Sequence, residues 1–197
     1  EARELARASH DGDLELCALS ELGCALVAMG QLDAAVALLD EAMAGSLGGE
    51  PDSPDTVVMT TCNTIIACSR AGDFERAEQW IQAADEFNQR YGSPHLYTTC
   101  RTHLGSILFA TGNWQRAEAE LTAALQIGKA AEPALHAQAL AKLAEMRLAQ
   151  GRLEEAERLL DGFADRPETV YAVGAIELAR GRAAVAAAIV ERRLREL

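Results

Sequence analysis

The stretch Arg101–Leu125, RTHLGSILFATGNWQRAEAELTAAL, decides the fold. Its first half spaces apolar residues as a helix does, up to a Thr-Gly pair, and its second half reopens on Asn113 with a new amphipathic run. Glycine supports the left-handed conformation that stops a helix, and asparagine offers a side-chain acceptor to the next one, so the stretch reads as two helices joined by a tight turn. The pattern recurs around Gly30, Gly72, Gly151 and Gly181, giving spacings of 42, 40, 39 and 30 residues along the chain once Gly112 is included. A period of that size marks stacked supersecondary units. A second marker keeps nearly the same period: Pro54, Pro94, Pro133 and Pro167 stand where a first helix should open and a missing N–H costs nothing, with Ser53 and Ser93 as caps before two of them.

Counting from each glycine exposes the packing grammar. Two residues on stand Leu32, Phe74, Trp114, Leu153 and Ala183; five on, Ala35, Ala77, Ala117, Ala156 and Ala186; nine on, Leu39, Ile81, Leu121, Leu160 and Val190. A small residue at one register lets helices approach closely, and the large residues beside it fill the remaining space. Trp114 therefore reads as the largest occupant of a shared packing slot rather than as an aromatic waiting for a ligand. Composition agrees with an all-α protein: 49% of the 197 residues are apolar and only 5% aromatic, with Ala and Leu prominent.

The formal charge of −12 argues against nucleic-acid binding by this chain, which would need Lys and Arg to displace counterions. No run of about 18 apolar residues and no basic-hydrophobic leader occurs, and five cysteines without CxxC spacing suit a reducing compartment, so the expectation is a soluble cytoplasmic protein. The opening EARELARAS has no initial Met and reads as the tail of a preceding helix over 1–10, as in an excised piece.

This grammar resembles the tetratricopeptide repeat (TPR). The segment from Leu19 carries it through Leu22-Gly23, Leu26, Gly30, Ala35, Leu39 and Ala42, and the segment from Arg101 through Leu104-Gly105, Leu108, Gly112, Ala117, Leu121 and Ala124. Other copies depart from it, with Thr64-Ile65 and Leu143-Ala144 in place of Leu-Gly. The resemblance implies a right-handed α-solenoid of antiparallel helix pairs, a single domain over 1–197 with repeats at about 13–48, 54–91, 94–130, 133–163 and a shortened 167–196. The segments TTCNTIIACSRAGDFERAEQW, LYTTCRTHLGSILFATGNWQRAEAEL and ALAKLAEMRLAQGRLEEAERLL also resemble the region between ATPase and DNA-binding domain in actinobacterial LuxR-type and MalT-like regulators, and the repeat region of related, cyclase-linked signal-transduction ATPases. Neither a GxxxxGK[ST] loop nor a basic helix-turn-helix is present here, so ATP and DNA binding would belong to a larger parent.

Candidate chemistry is sparse. Cys100 and His103 share one helical face and could supply two metal ligands, but His10, His95 and His136 have no matching spacing, and a buried structural thiol is the favoured reading. A Cys-His nucleophile would need an electropositive, partly exposed setting, and Glu-Arg pairs such as those of LEEAERLL read as solvated helix faces. No catalytic residue, cofactor or metal is therefore expected.

Transferring the family's groove positions implies a concave face of Cys17, Ser20 and Cys24; Met59, Cys62 and Ile66; Thr99, Thr102, Ser106 and Phe109; and Gln138, Ala141 and Glu145. Such a face is neutral and partly apolar, without the Lys and Asn that clamp a peptide carboxylate in some relatives. It suits an extended or helical segment held by apolar anchors, with inner-wall packing as the plain alternative. The linker AGSLGGEPDSPD, Ala44–Asp55, reads as a mobile loop between repeats, and a binding loop is its alternative. The expected function is a non-catalytic interaction or sensor-relay module that takes a protein segment, an effector or neighbouring domains; the alternative is a scaffold that self-associates, as in a homodimer.

Overall fold

A computed structural model describes residues 2–49, 51–131 and 133–196. Glu1, Glu50, Glu132 and Leu197 lie outside the described residues, which affects the sequence reading only within the Ala44–Asp55 linker and at the two ends. The described residues form eleven α-helices and contain no strand. In order these are α1 (Ala2–Ser9), α2 (Gly12–Ala28), α3 (Leu32–Leu47), α4 (Pro54–Ala71), α5 (Phe74–Tyr91), α6 (Pro94–Ala110), α7 (Trp114–Ala131), α8 (Pro133–Ala149), α9 (Leu153–Leu159), α10 (Val170–Ala179) and α11 (Ala183–Arg195). A 3-10 turn, Pro167–Thr169, leads into α10. The helices fall into two compact units, residues 1–103 and 104–197.

Every repeat turn is closed by the same pair of backbone bonds. At Gly72 (φ 75°), the glycine N–H donates to Ser69 O and the next N–H, of Asp73, donates to Cys68 O. Gly30, Gly112, Gly151 and Gly181 repeat both bonds with φ between 74° and 89°, a region where a side chain would strain the backbone. Beyond the glycine, Asp73 and Asn113 cap the next helix by accepting from Arg76 N and Arg116 N, and Ser53 and Ser93 cap α4 and α6 by accepting from Asp55 N and Leu96 N. The prolines open their helices as the sequence predicts, except that Pro167 opens the 3-10 turn. There Thr169 donates its hydroxyl to Phe163 O at 2.7 Å or Arg166 O at 3.0 Å and shortens the last first-helix.

Within the pairs the grammar holds. The alanine five after the glycine is buried in every copy, as are Leu39, Ile81, Leu121 and Leu160 nine after it; Val190, in the last copy, is exposed. Glycines on the first helices explain how the pairs close up. A Cβ on Gly105 would stand 2.6 Å from Leu121 Cγ and 3.2 Å from Ala117 O, and one on Gly23 would stand 2.6 Å from Leu39 Cγ. The equivalent place in the second repeat holds Ile65, fully buried, opposite an equally buried Ile81.

In unit 1 a polar staple ties second helix to second helix. Asp40 on α3 accepts from Arg76 Nη1 at 2.5 Å and from Trp80 Nε1 at 3.0 Å, both on α5, while Asp73 holds the same guanidinium through Nε at 3.0 Å. Asp40→Ala is expected to destabilise the unit by about 1 kcal/mol, the low end for a charge-assisted pair because these side chains are about one-third exposed. The check is the urea midpoint together with a red-shifted Trp80 emission; an unmoved midpoint would remove the staple from the account.

Candidate functional site

The structure sorts the implied groove residues by register. Counted back from the turn glycine, they occupy positions −13, −10, −6 and −3. Position −10 is mostly closed: Ser20, Thr102 and Ala141 are buried and Cys62 is half-buried, because this register faces the neighbouring repeat. Positions −13 and −6 stay more open. In unit 1, Met59 is 47% exposed, and Cys17, Cys24 and Ile66 are half-buried. In unit 2, Gln138 is exposed, and Ser106, Phe109 and Glu145 are half-buried, with Glu145 accepting from Lys142 Nζ at 3.0 Å. Thr99 departs from its register and is buried, and Thr102 donates its hydroxyl to Thr98 O at 2.8 Å. Thr99 and Thr102 are therefore buried packing residues, Thr102 with its hydroxyl turned onto the backbone of its own helix.

One residue outside the implied set joins two first helices. Asn63 on α4 donates through Nδ2 to Ser20 Oγ at 3.1 Å and Glu21 Oε1 at 2.9 Å on α2, and its backbone carbonyl accepts from Cys24 Sγ at 3.3 Å. The sequence signal for it was its position beside Cys62, equivalent to that of His103 one repeat on.

The thiols carry no reactive signature. Cys100 is completely buried, and desolvation pushes its thiol upward in pKa; burial likewise pushes Cys62 and Cys68 to about 11 and raises Cys17 and Cys24. Among the described residues no group of three or more His, Cys, Asp or Glu is placed to hold a metal ion. In alkylation with iodoacetamide at pH 8, Cys17 and Cys24 are expected to react first, and Cys62, Cys68 and Cys100 to trail by about tenfold or more until denaturant is added. Mass mapping that found Cys100 modified first would contradict this order.

Trp114 is the first residue of α7, 38% exposed, with its ring 5.6 Å from that of Phe109 at the end of α6. Its slot recurs as Val27 with Leu32 and Leu148 with Leu153, apolar pairs flanking their turns. The residue is half-open rather than part of the core, because the first position of a helix projects past the turn.

The linker builds a cavity that the sequence reading did not foresee. A cleft of about 610 Å³ in unit 1 is walled by Gly49, Pro51, Asp52 and Ser53 on one side and floored by Ser46, Val57, Phe87 and Leu96. The linker is pinned, since the Asp13 carboxylate accepts from Asp52 N at 3.0 Å and Ser53 N at 2.9 Å. Its length was the available signal: six residues separate α3 from α4, against two between α5 and α6.

The chain matches the model of the family described as the MalT-like TPR region over residues 2–195, and it belongs to that family. Its fold is that of TPR-like solenoids among solved structures. BtubC (BKLC) from P. vanneervenii shares 22% identity over 98% of this chain and 86% of that one, with a TM-score of 0.69. The TPR-like repeats of a putative kinesin light chain from Podosopora anserina share 16% identity over 98% of this chain and 94% of that one, with a TM-score of 0.62. No curated protein matches the chain. A TPR-like repeat region of this kind is consistent with a protein-interaction module. No helix among the described residues is long and apolar enough to cross a membrane.

Proposed function

We propose that this chain is the non-catalytic interaction and relay region of a larger cytoplasmic transcriptional regulator of the LuxR, MalT-like type. Its open first-helix registers receive a partner segment, an effector or a neighbouring domain of the same protein. The observation that carries the reading is the partly open row at positions −13 and −6, neutral in unit 1, where α4 presents the flexible apolar side chain of Met59 and half-buried Ile66. Methionine adapts to varied apolar partners, and a neutral row selects shape over charge. In unit 2 the same registers offer Ser106, Gln138 and Glu145, with Phe109 beside them at position −3. Thr99 and Thr102 support the row from within. Membership of the MalT-like family favours the regulatory setting over a stand-alone scaffold.

The test is site-directed photo-crosslinking in the native parent. A photoreactive phenylalanine at Met59 or Gln138 is expected to trap a discrete partner, either another protein or a flanking domain, while the same group at Gln79 or Gln82 on α5 is not. Equal capture from both helix faces would overturn the assignment of the surface. A parent without an ATPase or a DNA-binding domain would overturn the regulatory setting.

A further inference from the structure

The linker cleft shares no side chain with the open first-helix rows. It measures about 610 Å³, and its lining residues all lie in unit 1, where the C-terminal ends of α3 and α5 meet the N-terminal ends of α4 and α6. That volume falls within the range of sites that enclose a small organic molecule. The floor is largely apolar: Val57 and Leu96 are buried, Val58 and Phe87 are half-buried, and the Ser46 hydroxyl beside them is tied to Thr60 Oγ1 at 2.8 Å. The protein itself holds the wall in place, since Asp13 on α2 accepts from Asp52 N at 3.0 Å and Ser53 N at 2.9 Å.

The rim decides what kind of molecule fits. Backbone N–H groups that could hold an anion are spent within the protein. Those of Asp52 and Ser53 go to Asp13, and those of Asp55 and Thr56 go to Ser53 Oγ at 3.2 Å and Ser53 O at 3.1 Å. Those of Ser93 and Leu96 go to Asn88 Oδ1 at 2.7 Å and Ser93 Oγ at 3.2 Å. Pro51, Pro54 and Pro94 have none to give. The positive ends of α4 and α6 are offset by the negative ends of α3 and α5 at the same place. No Lys or Arg is among the described residues that line the cleft. What the rim offers instead is negative charge: Asp52 and Asp55 are exposed, and neither carboxylate has an ion-pair partner among the described residues.

We propose that this cleft binds a small amphipathic cation, an aryl or branched-alkyl amine. Its apolar body lies on Val57, Val58, Phe87 and Leu96, and its ammonium group meets Asp52 and Asp55. Apolar burial supplies most of the affinity, while carboxylates at an exposed rim select for charge more than they add strength. An occupant touches α3 of the first repeat, α4 and α5 of the second and α6 of the third, so it ties three repeats together at one end of their helices. The open rows at positions −13 and −6 are untouched by it, and the two readings stand or fall separately.

Tryptamine and 2-phenylethylamine serve as test ligands, with 3-methylindole and 3-indolepropionate as neutral and anionic counterparts of the first. Titration of the full chain followed by amide proton–nitrogen NMR spectra reports both affinity and place. Tryptamine is expected to bind with a Kd of about 0.1–1 mM, as suits a ligand of its size, and to shift the amides of Ser53, Val58, Phe87 and Leu96 most. Binding of 3-methylindole should be about three- to tenfold weaker, and that of 3-indolepropionate weaker still. Asp52→Asn with Asp55→Asn should reduce tryptamine to the affinity of 3-methylindole. Val58→Trp should abolish binding by filling the cleft, and Asp13→Ala, which releases the linker, should weaken every ligand several-fold. Circular dichroism checks that each variant folds; Val58→Phe replaces Val58→Trp if it does not. No binding of either amine at about 10 mM, shifts centred on Met59 and Ile66 instead, or undiminished binding in Val58→Trp would each overturn the site. Equal affinity for the three indoles, or a double variant that binds like the wild type, would overturn the choice of a cation. Unchanged affinity in Asp13→Ala would overturn the pinned linker as its wall.

Discussion

Replacing Ile65 with glycine is expected to destabilise unit 1 by roughly 3–5 kcal/mol, even though the substitution restores the residue found at the same register in three other repeats, at Gly23, Gly105 and Gly174. Gly23 and Gly105 are glycines because Leu39 and Leu121 press within 2.6 Å of where their Cβ atoms would be. In the second repeat the register is filled from the other side: Ile65 and Ile81 are both fully buried. Removing the isoleucine leaves a void, because a packed interior relaxes only partly, and glycine within a helix adds about 1 kcal/mol of backbone entropy. The urea midpoint should fall with an unchanged slope. A loss under 1 kcal/mol would mean that α4 and α5 slide together as the helices of the Gly-Leu repeats do.

The second large effect lies at Gly105 and Leu121. Leu121→Ala should cost about 2–5 kcal/mol by opening a cavity under a fully buried side chain. Gly105→Ala alone should cost about 1–2 kcal/mol, since the clash with Leu121 Cγ and the backbone oxygen of Ala117 outweighs the helix propensity that alanine gains. The double variant should lose less than the sum, because the new methyl enters the space the leucine vacates. A double-mutant cycle should give a favourable coupling of about 1–3 kcal/mol. Additive losses would show that the two residues do not share one space. Gly174 has only Val190 nearby, at 3.8 Å, and is excluded from this rule.

The fold was legible because the repeat states its grammar several times over. A glycine that must adopt positive φ, a cap after it and an alanine five residues on each leave a signature that local physics enforces. The outer surface was less legible. Thr102 and Cys62 belong to the same register as Ser20 and Ala141, and small polar residues of this kind sit equally well inside or outside, so identity alone did not reveal that position −10 is closed. Thr99 and Met59 share a register, yet one is buried and the other open, which periodicity cannot distinguish. Trp114 was misjudged in degree for a different reason: hydrophobicity located its slot, but only the helix boundary shows that the slot opens at a helix start. The 610 Å³ cleft escaped notice because its walls come from residues far apart in sequence, and only the linker's excess length pointed there.

The turns have a consequence for how the chain acquires its structure. Each pair of helices around a repeat glycine is sealed by bonds between residues at most five apart in sequence. Contacts this local form early and need little loop closure, so such chains fold quickly for their length. A ribosome adding about 5–20 residues each second would release the first helix pair, through Leu47, seconds before Leu121 is made. The N-terminal repeats can therefore acquire structure during synthesis, while the repeats that will stack on them are still being built.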